Sequence, residues 1–423
     1  MEKESKQRFR LTKLERAWIL YDVGNSAFVL MVATLIPIFF NALAEAGGLS
    51  SVEYLAYWGY ASSAVTVITA VLSPILGTVA DTKGFKKPIF ILCVFVGIVG
   101  CCAMGAASAW LPFLVIFVIA KVGFSGSLVF YDSMLSDVTT PERMDEVSSR
   151  GYAWGYIGSC VPFVVCLGLV LGAGSIGISQ MTALNLALLL TAAWWLLTTL
   201  PLLKSYKQLH YVEVEKHAVR QSFARIGHTL RHLPEDKQVF WFLLAFFCYI
   251  DGVYTIIDMA TAYGTALGLD TTGLLLALLV TQIVAFPSAL IFGRLSNKYP
   301  SAKLIPVCIA AYAGIAVFAF FLTQQWQFWV LAVIVGMFQG GVQALSRSHF
   351  AKITPPEKSG EYFGLFDICG KGASFLGTMI VSVGSQLTGS ANVGVGSLIV
   401  LFVVGFVLFR VSCKAGIITD SVN

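Results

Sequence analysis

The sequence predicts an all-α integral membrane protein of about twelve transmembrane helices, arranged as two six-helix pseudo-repeats with both termini cytoplasmic. Three observations carry this. Hydrophobic residues make up 57% of the 423-residue chain and charged residues only 12%, with a mean hydropathy of +0.79, whereas a soluble protein carries about 25% charged residues. Apolar stretches of about 20 residues, the length of one bilayer crossing, recur from end to end. Almost every Lys and Arg falls on one side of the membrane once these stretches are threaded in order.

The first expected span, 17–43, follows a charged arm, MEKESKQRFRLTKLER, that argues against a cleaved signal peptide. Spans at 54–80 and 88–108 flank a short loop with Lys83, Lys86 and Lys87. Spans at 110–134 and 151–174 flank a loop with Arg143 and Arg150, and the first half closes with 181–203. The longest polar connection, 204–237, separates this half from spans 238–267, 272–293, 304–323, 326–348, 361–388 and 392–412. The expected organisation is an N-terminal arm (1–16), a first bundle (17–203), the connection (204–237), a second bundle (238–412) and a tail (413–423). Of the 28 Lys and Arg residues, all but Lys121 and Lys371 lie at the ends, in the even-numbered connections or within three residues of them. A positive-inside pattern this clean places those connections in the cytoplasm. The net charge of +5 is then a topology signal and implies no nucleic-acid partner. Backbone groups in lipid must be satisfied internally, and runs this apolar do not alternate as barrel strands would, so helices remain.

Several function classes are disfavoured. No G-x-x-x-x-G-K-[ST] nucleotide loop, no H-E-x-x-H and no G-x-S-x-G is present. The nine cysteines form no C-x-x-C pair, and small apolar packing is their expected role. His228 and His232 stand at i and i+4, a spacing that can hold a metal. The favoured reading of their surroundings is a basic amphipathic helix on the membrane face, with Phe223, Ile226, Leu230 and Leu233 between Arg220, Arg225 and Arg231. Neither a cofactor nor a metal is expected.

The two halves resemble each other. Gly77-Thr-Val-Ala-Asp81-Thr-Lys-Gly84-Phe-Lys-Lys87 aligns with Gly293-Arg-Leu-Ser-Asn297-Lys-Tyr-Pro300-Ser-Ala-Lys303, and Thr140-Pro141-Glu142 parallels Thr354-Pro355-Pro356-Glu357. Duplication of a six-helix unit is a transporter signature. The first segment resembles the loop motif of the major facilitator superfamily, G-x-x-x-D-x-x-G-x-x-[RK]-[RK], through Gly77, Asp81, Gly84, Lys86 and Lys87. In such a loop a glycine allows close helix approach, and the aspartate can cap a neighbouring helix in one conformation and release it in the other. Alone, it is also consistent with a tight turn of solvated charge.

The opening W-x-L-Y-D-x-x-N-S-A-F, Trp18 to Phe28, resembles the start of the vacuole effluxer-like family within that superfamily. So do Val147-Ser-Ser-Arg-Gly151, Gly155-Tyr-Ile-Gly158, Asp251-Gly-Val-Tyr254, Gln343-Ala-Leu-Ser-Arg347-Ser348, Glu361-Tyr-Phe-Gly364, Gly370-Lys371 and Gly377, so the resemblance covers nearly the whole chain. The departures are Val23-Gly24, where the family usually has Trp-Ala, and Asn297, where the second loop often keeps Asp. The resemblance implies efflux of small solutes, amino acids in the yeast vacuolar relatives, with helices one, four, seven and ten lining the cavity.

Charges inside spans are expensive and mark function or pairing. On the lining helices these are Asp22, Lys121, Asp251 and Asp258, with Asp258 seven residues beyond Asp251 and so on the same face. Asn25 and Tyr254 can add hydrogen bonds. Asp22 lies shallow: it can contact substrate or carry a proton, or it can pair near the cytoplasmic mouth as part of a gate. Lys121 can pair across helices or hold an anionic group. Asp367 and Lys371, at i and i+4, suit a structural pair. Gly77, Asp81, Gly84, Lys87, Asp132 and Arg347 are the expected gating and loop residues.

The reading that follows is a secondary transporter of the inner (plasma) membrane, acting as a monomer by alternating access. Its expected partners are a small-molecule substrate, with an amino acid or related metabolite in efflux favoured, the membrane lipid, and a proton as candidate coupling ion. The alternatives are a lipid or multidrug exporter, or a non-transporting sensor on the same fold. An enzyme is not expected.

Overall fold

The computed structural model describes residues 9–213, 227–229, 231–372 and 375–422, of which the helices are the dominant structure. Their order is α1 (Lys13–Ala33), α2 (Leu35–Ala46), α3 (Ser51–Ala80), α4 (Lys86–Gly105), α5 (Trp110–Ser133), α6 (Leu135–Val138), α7 (Met144–Leu171), α8 (Gln180–Ser205), α9 (Lys237–Ala266), α10 (Thr271–Leu295), α11 (Ser301–Phe320), α12 (Gln325–Ile353), α13 (Ser359–Gly372), α14 (Phe375–Thr388), α15 (Ala391–Gly396) and α16 (Ile399–Val422). No strand forms among the described residues; a single bridge joins Thr82 and Val212.

Among the described residues, eleven helices are long and apolar enough to cross a membrane. The expected span 361–388 holds α13 and α14, and residues 373 and 374 between them lie outside those described. The first expected span is divided. At Thr34 the backbone leaves helical geometry (φ −131°, ψ −78°), and the Thr34 hydroxyl donates to the Leu30 carbonyl. Span five starts at Met144 rather than 151, because the polar stretch Asp145–Ser149 is buried against other helices instead of lying in solvent.

Within the first half, α1 packs on α7 and α8, and α4 on α5 and α8. In the second, α9 packs on α16, and α12 on α10 and α11. The halves meet along two crossings, α3 with α13 and α7 with α10 and α12. Glycine sets both. A Cβ on Gly77 would lie 2.1 Å from the Gly360 carbonyl oxygen, and one on Gly293 2.8 Å from the Ser149 Cβ, so the helices approach to a separation that no side chain could share. The departure at residues 23 and 24 has a packing reason. A Cβ on Gly24 would fall 1.9 Å from the Thr198 hydroxyl oxygen, and Val23 fills the space left by Gly158.

The end of the bundle bearing the basic connections is tied down locally. Thr12 and Glu15 form a capping box at the start of α1, and Glu15 also receives Arg143 and Thr139. Gly84 turns the α3–α4 loop at φ +80°, a conformation a side chain disfavours. His228 and His232 stack with ring centroids 3.9 Å apart. The amphipathic helix expected around them falls largely on residues outside those described.

Candidate functional site

The seam between the halves closes at the basic end around Arg347. This side chain leaves α12, crosses into the first half and is 2% exposed. Nη1 donates to Asp132 Oδ1 at 3.0 Å, Nε to the Ser148 hydroxyl at 2.9 Å and Nη2 to the Ser148 carbonyl at 3.0 Å. Asp22 Oδ2 lies 3.7 Å from Nη2 and accepts from the Tyr131 hydroxyl at 3.0 Å. Three rings box the guanidinium: Tyr152 at 4.3 Å, Trp18 at 4.7 Å and Tyr131 at 5.4 Å. Gly151 makes the room, since a Cβ there would lie 2.9 Å from Asp22 Oδ2 and 3.1 Å from Arg347 Nη2. A buried cation thus has two carboxylates, a backbone carbonyl and a hydroxyl, which is what makes burial tolerable. One arginine fixes α1, α5 and α7 to α12.

The loop motif makes a second lock. Asp81 Oδ1 accepts from the Gly360 N–H at 2.7 Å and Oδ2 from the Glu361 N–H at 2.8 Å. A carboxylate at a helix N-terminus satisfies orphan donors and meets the favourable end of the helix dipole. Of the two adjacent lysines of the motif, Lys86 is the one buried here, donating to the Ser359 hydroxyl at 2.8 Å and lying 3.5 Å from Asp81 and 4.0 Å from Asp137. Lys87 instead points at the Tyr206 carbonyl, 3.5 Å away. The basic pair was visible in the sequence, but helix phase decides which member turns inward.

Burial pushes the Asp81 carboxyl up to about 6, against the lowering effect of Lys86 and of the Glu361 and Gly360 N–H groups. A carboxyl whose value is higher when enclosed than when hydrated takes up a proton on closing. The protonation-linked part of its contribution to closure is fully present below the ordinary value and lost as pH rises through about 6, while the two N–H contacts to the carboxylate remain. Acidification from pH 7.5 to 5 should therefore increase the closed population, measured as the spin-label distance across the basic end. Asp81→Asn should abolish that response; opening on acidification would place the titration elsewhere.

The duplicated loop locks differently. Asn297 donates to Glu146 Oε2 at 2.7 Å, while Arg150 pairs with the other oxygen of Glu146. Beside it, Asp145 takes the Ser348 hydroxyl and Lys352 Nζ, each at 2.6 Å. An aspartate at 297 would face Glu146 as a like charge, so the departure from the family pattern fits its partner. Asp137, Asp145 and Glu146 were not singled out in the sequence. The acidic first turn after Thr140-Pro141-Glu142 was the available signal.

The remaining expected residues divide. Asn25 is buried and donates to the Tyr21 carbonyl. Asp251 is wholly buried, and Oδ1 accepts from the Gly377 N–H at 2.8 Å and from Thr255. Its Oδ2 has no hydrogen-bond partner among the described residues. Asp258 is exposed and Tyr254 partly so. Lys121 is half-buried, with Nζ 4.7 Å from the Phe124 ring centroid and 5.9 Å from that of Phe28. Asp367 accepts from Ser73 of the other half at 2.6 Å. The side chain of Lys371, its expected partner, is outside the described residues. The structure thus gathers Asp22, Asp132 and Arg347 into one cluster, and Gly77 and Asp81 into another. Among the described residues, the hydrogen bonds of Asp251 come from Thr255 and Gly377 instead.

The two halves thus meet at paired crossings, with buried polar locks at the end bearing the basic connections. Solved structures agree on the fold: the human organic anion transporter MFSD10 (TETRAN) superposes with a TM-score of 0.71 at 15% identity over 94% of this chain and 98% of that one. FucP in its outward conformation gives 0.70 at 16% identity over 95% and 97%. The model described as "Vacuole effluxer Atg22 like" matches residues 12–142 and 136–417, and the chain belongs to this family. An MFS-type transporter of Bacillus subtilis (strain 168), YxiO, is 42% identical over 404 residues, 94% of each chain. Autophagy-related protein 22 of Coccidioides immitis (strain RS) is 25% identical over 63% of this chain, which spans about half (51%) of that relative. The protein is a multi-pass membrane transporter of small molecules and not an enzyme.

Proposed function

We propose that this transporter moves an amino acid or related metabolite out of the cytoplasm across the plasma membrane, as a monomer, with a proton as coupling ion. The observation that carries the mechanism is the Arg347 cluster. A conformation held shut by buried ion pairs between two halves is one of the two states that alternating access needs, with the basic end cytoplasmic by the positive-inside rule. The family description, a vacuole effluxer, supports a carrier that releases small solutes from a compartment, and the amino-acid class and outward direction are this proposal's own. Lys121 is assigned to the solute carboxylate, with Asp251 and Asp258 on the ammonium and proton side and Tyr254 adding a hydrogen bond. A buried carboxyl within a span, with one oxygen unpartnered, suits proton exchange.

The test is transport in proteoliposomes against amino acids, lysolipids and cationic drugs, preceded by thermal unfolding with the same panel. A ligand at a hundred times its Kd should stabilise the folded state by roughly 2.7 kcal/mol. Stabilisation by one stereoisomer supports the amino-acid reading; shifts only with lipids or drugs replace it with an exporter of those. Lys121→Ala should raise KM for the responding solute about tenfold or more with an unchanged melting temperature, the scale of one charge-assisted contact. Normal KM in both Lys121→Ala and Asp251→Asn would rule the assignment out.

A further inference from the structure

The start of the long connection between the halves, Tyr206 to Glu213, does not hang free. It is bound to the same loop that clasps the second half. The Val212 N–H donates to the Asp81 carbonyl at 2.8 Å, and the Lys83 N–H returns to the Val212 carbonyl at 3.3 Å. The Gln208 side chain spans the loop from both sides, accepting from the Gly84 N–H at 3.0 Å and donating to the Ala80 carbonyl at 3.1 Å. Farther out, Lys83 pairs with Glu213, an exposed contact of little weight.

The inner face of the segment converges on one carboxylate. Asp137, wholly buried on the four-residue helix α6, accepts the Tyr206 hydroxyl on Oδ2 at 2.6 Å. Its Oδ1 receives the Leu209 N–H at 3.2 Å, the His210 N–H at 2.9 Å and the His210 Nδ1 at 2.9 Å. Lys86 is the fifth neighbour, and Lys86 is the residue that also reaches Ser359 and Asp81 across the seam. The connection therefore touches the gate twice, through the backbone of Asp81 and through the Asp137–Lys86 pair, without making either contact across the seam itself.

We propose that Tyr206–Glu213 is a positioning strap for closure at the basic end. It holds residues 80–84 in the shape that presents the Asp81 carboxylate to the two N–H groups of α13. Placement matters only in the closed state, where both oxygens must meet fixed backbone donors. In the open state the carboxylate has no helix to meet, so a preorganised loop gains nothing there. Loss of the strap thus weakens the closed state selectively, and only a differential contribution of this kind shifts a conformational equilibrium. The long connection becomes a control element, because whatever draws residues 206–213 off the loop favours opening.

This inference rests on the reading of the Asp81–α13 contact as one of two alternating states, and the experiment separates the two. Spin labels on a ketone-bearing non-natural amino acid at the exposed positions Glu142 and Glu357, which leave the native cysteines in place, report the distance across the basic end in the full-length protein. Asp81→Ala is the reference and should raise the open fraction. Tyr206→Phe and His210→Ala each remove a hydrogen bond to a charged acceptor, worth roughly tenfold in an equilibrium, and should raise the ratio of open to closed several-fold. His210→Asn, which keeps a side-chain donor near the Nδ1 position, should restore most of the closed population. If Asp81→Ala opens the protein while the strap variants leave the distance unchanged, the strap is overturned and the gate stands. If Asp81→Ala itself has no effect, the gate reading fails first. If the strap variants lower the melting temperature without moving the ratio, or His210→Asn does not rescue, the contacts are structural and the proposal is wrong.

Discussion

Replacing Arg347 with methionine should reduce transport about a hundredfold or more while the protein still inserts and folds. Methionine fills much of the same volume but takes the guanidinium away from both Asp132 and Asp22. Removing one partner of a buried ion pair costs about 3–5 kcal/mol, because the other charge stays buried. That cost falls on the closed basic end alone, since opening the seam returns both carboxylates to water. The expected signature is a protein locked open at that end, read by distance measurements and by accessibility to a membrane-impermeant reagent. Arg347→Lys should recover only part of the closure. An ammonium cannot reach Asp132, Asp22 and both Ser148 oxygens from one place as the planar fork does. Asp132→Asn in the Arg347→Met background should restore some activity, as it removes the stranded charge. If Arg347→Met transports normally, the cluster is not a gate.

Gly77→Val should produce a loss of similar size from the other side of the seam. The Cβ alone would sit 2.1 Å from the Gly360 oxygen and 2.7 Å from its carbonyl carbon, and the neighbour is backbone, so nothing flexible can move aside. The α3–α13 crossing would have to separate by an ångström or more. Asp81 would then lose both N–H contacts, each worth roughly 1.5–3 kcal/mol as a hydrogen bond to a charged group. Lys86 would lose Ser359. On the gate reading α3 faces Gly360 only when the seam is shut, so the melting temperature should fall little while the closed population collapses. Gly77→Ala should show the same direction with a smaller effect. Gly364, whose added Cβ would meet Pro74 at 2.6 Å and the Ser73 oxygen at 2.7 Å, should behave like Gly77. A normal rate in Gly77→Val would mean that this crossing does not tighten during the cycle.

Both predictions turn on residues that the sequence had already marked, and the reason is physical. A charge or a loop glycine inside an otherwise apolar chain is costly enough to be conspicuous. Arg347, Asp132, Asp22, Gly77 and Asp81 stood out for that reason, and all five lie at the seam. Asp145, Glu146 and Asp137 did not stand out, because a carboxylate in a polar connection looks solvated until tertiary packing buries it. Lys86 and Lys87 were indistinguishable as neighbours, and only the phase of α4 against α13 turned the first inward. Asp251 was marked as a lone charge, but its partner is a backbone N–H at Gly377, which no side-chain pattern advertises.

By itself the sequence determined that this chain is a multi-span helical membrane protein, because the bilayer allows few alternatives to apolar helices of fixed length. It also determined that the chain has two related halves, since a duplicated loop keeps its spacing. What only the tertiary structure decided is which polar groups meet. Side chains more than a hundred positions apart, such as Arg347 and Asp132 or Asp81 and Gly360, come within hydrogen-bond distance only when two bundles close on each other. Such contacts depend on helix rotation and crossing, and those are set by packing across the seam rather than by any local run of residues.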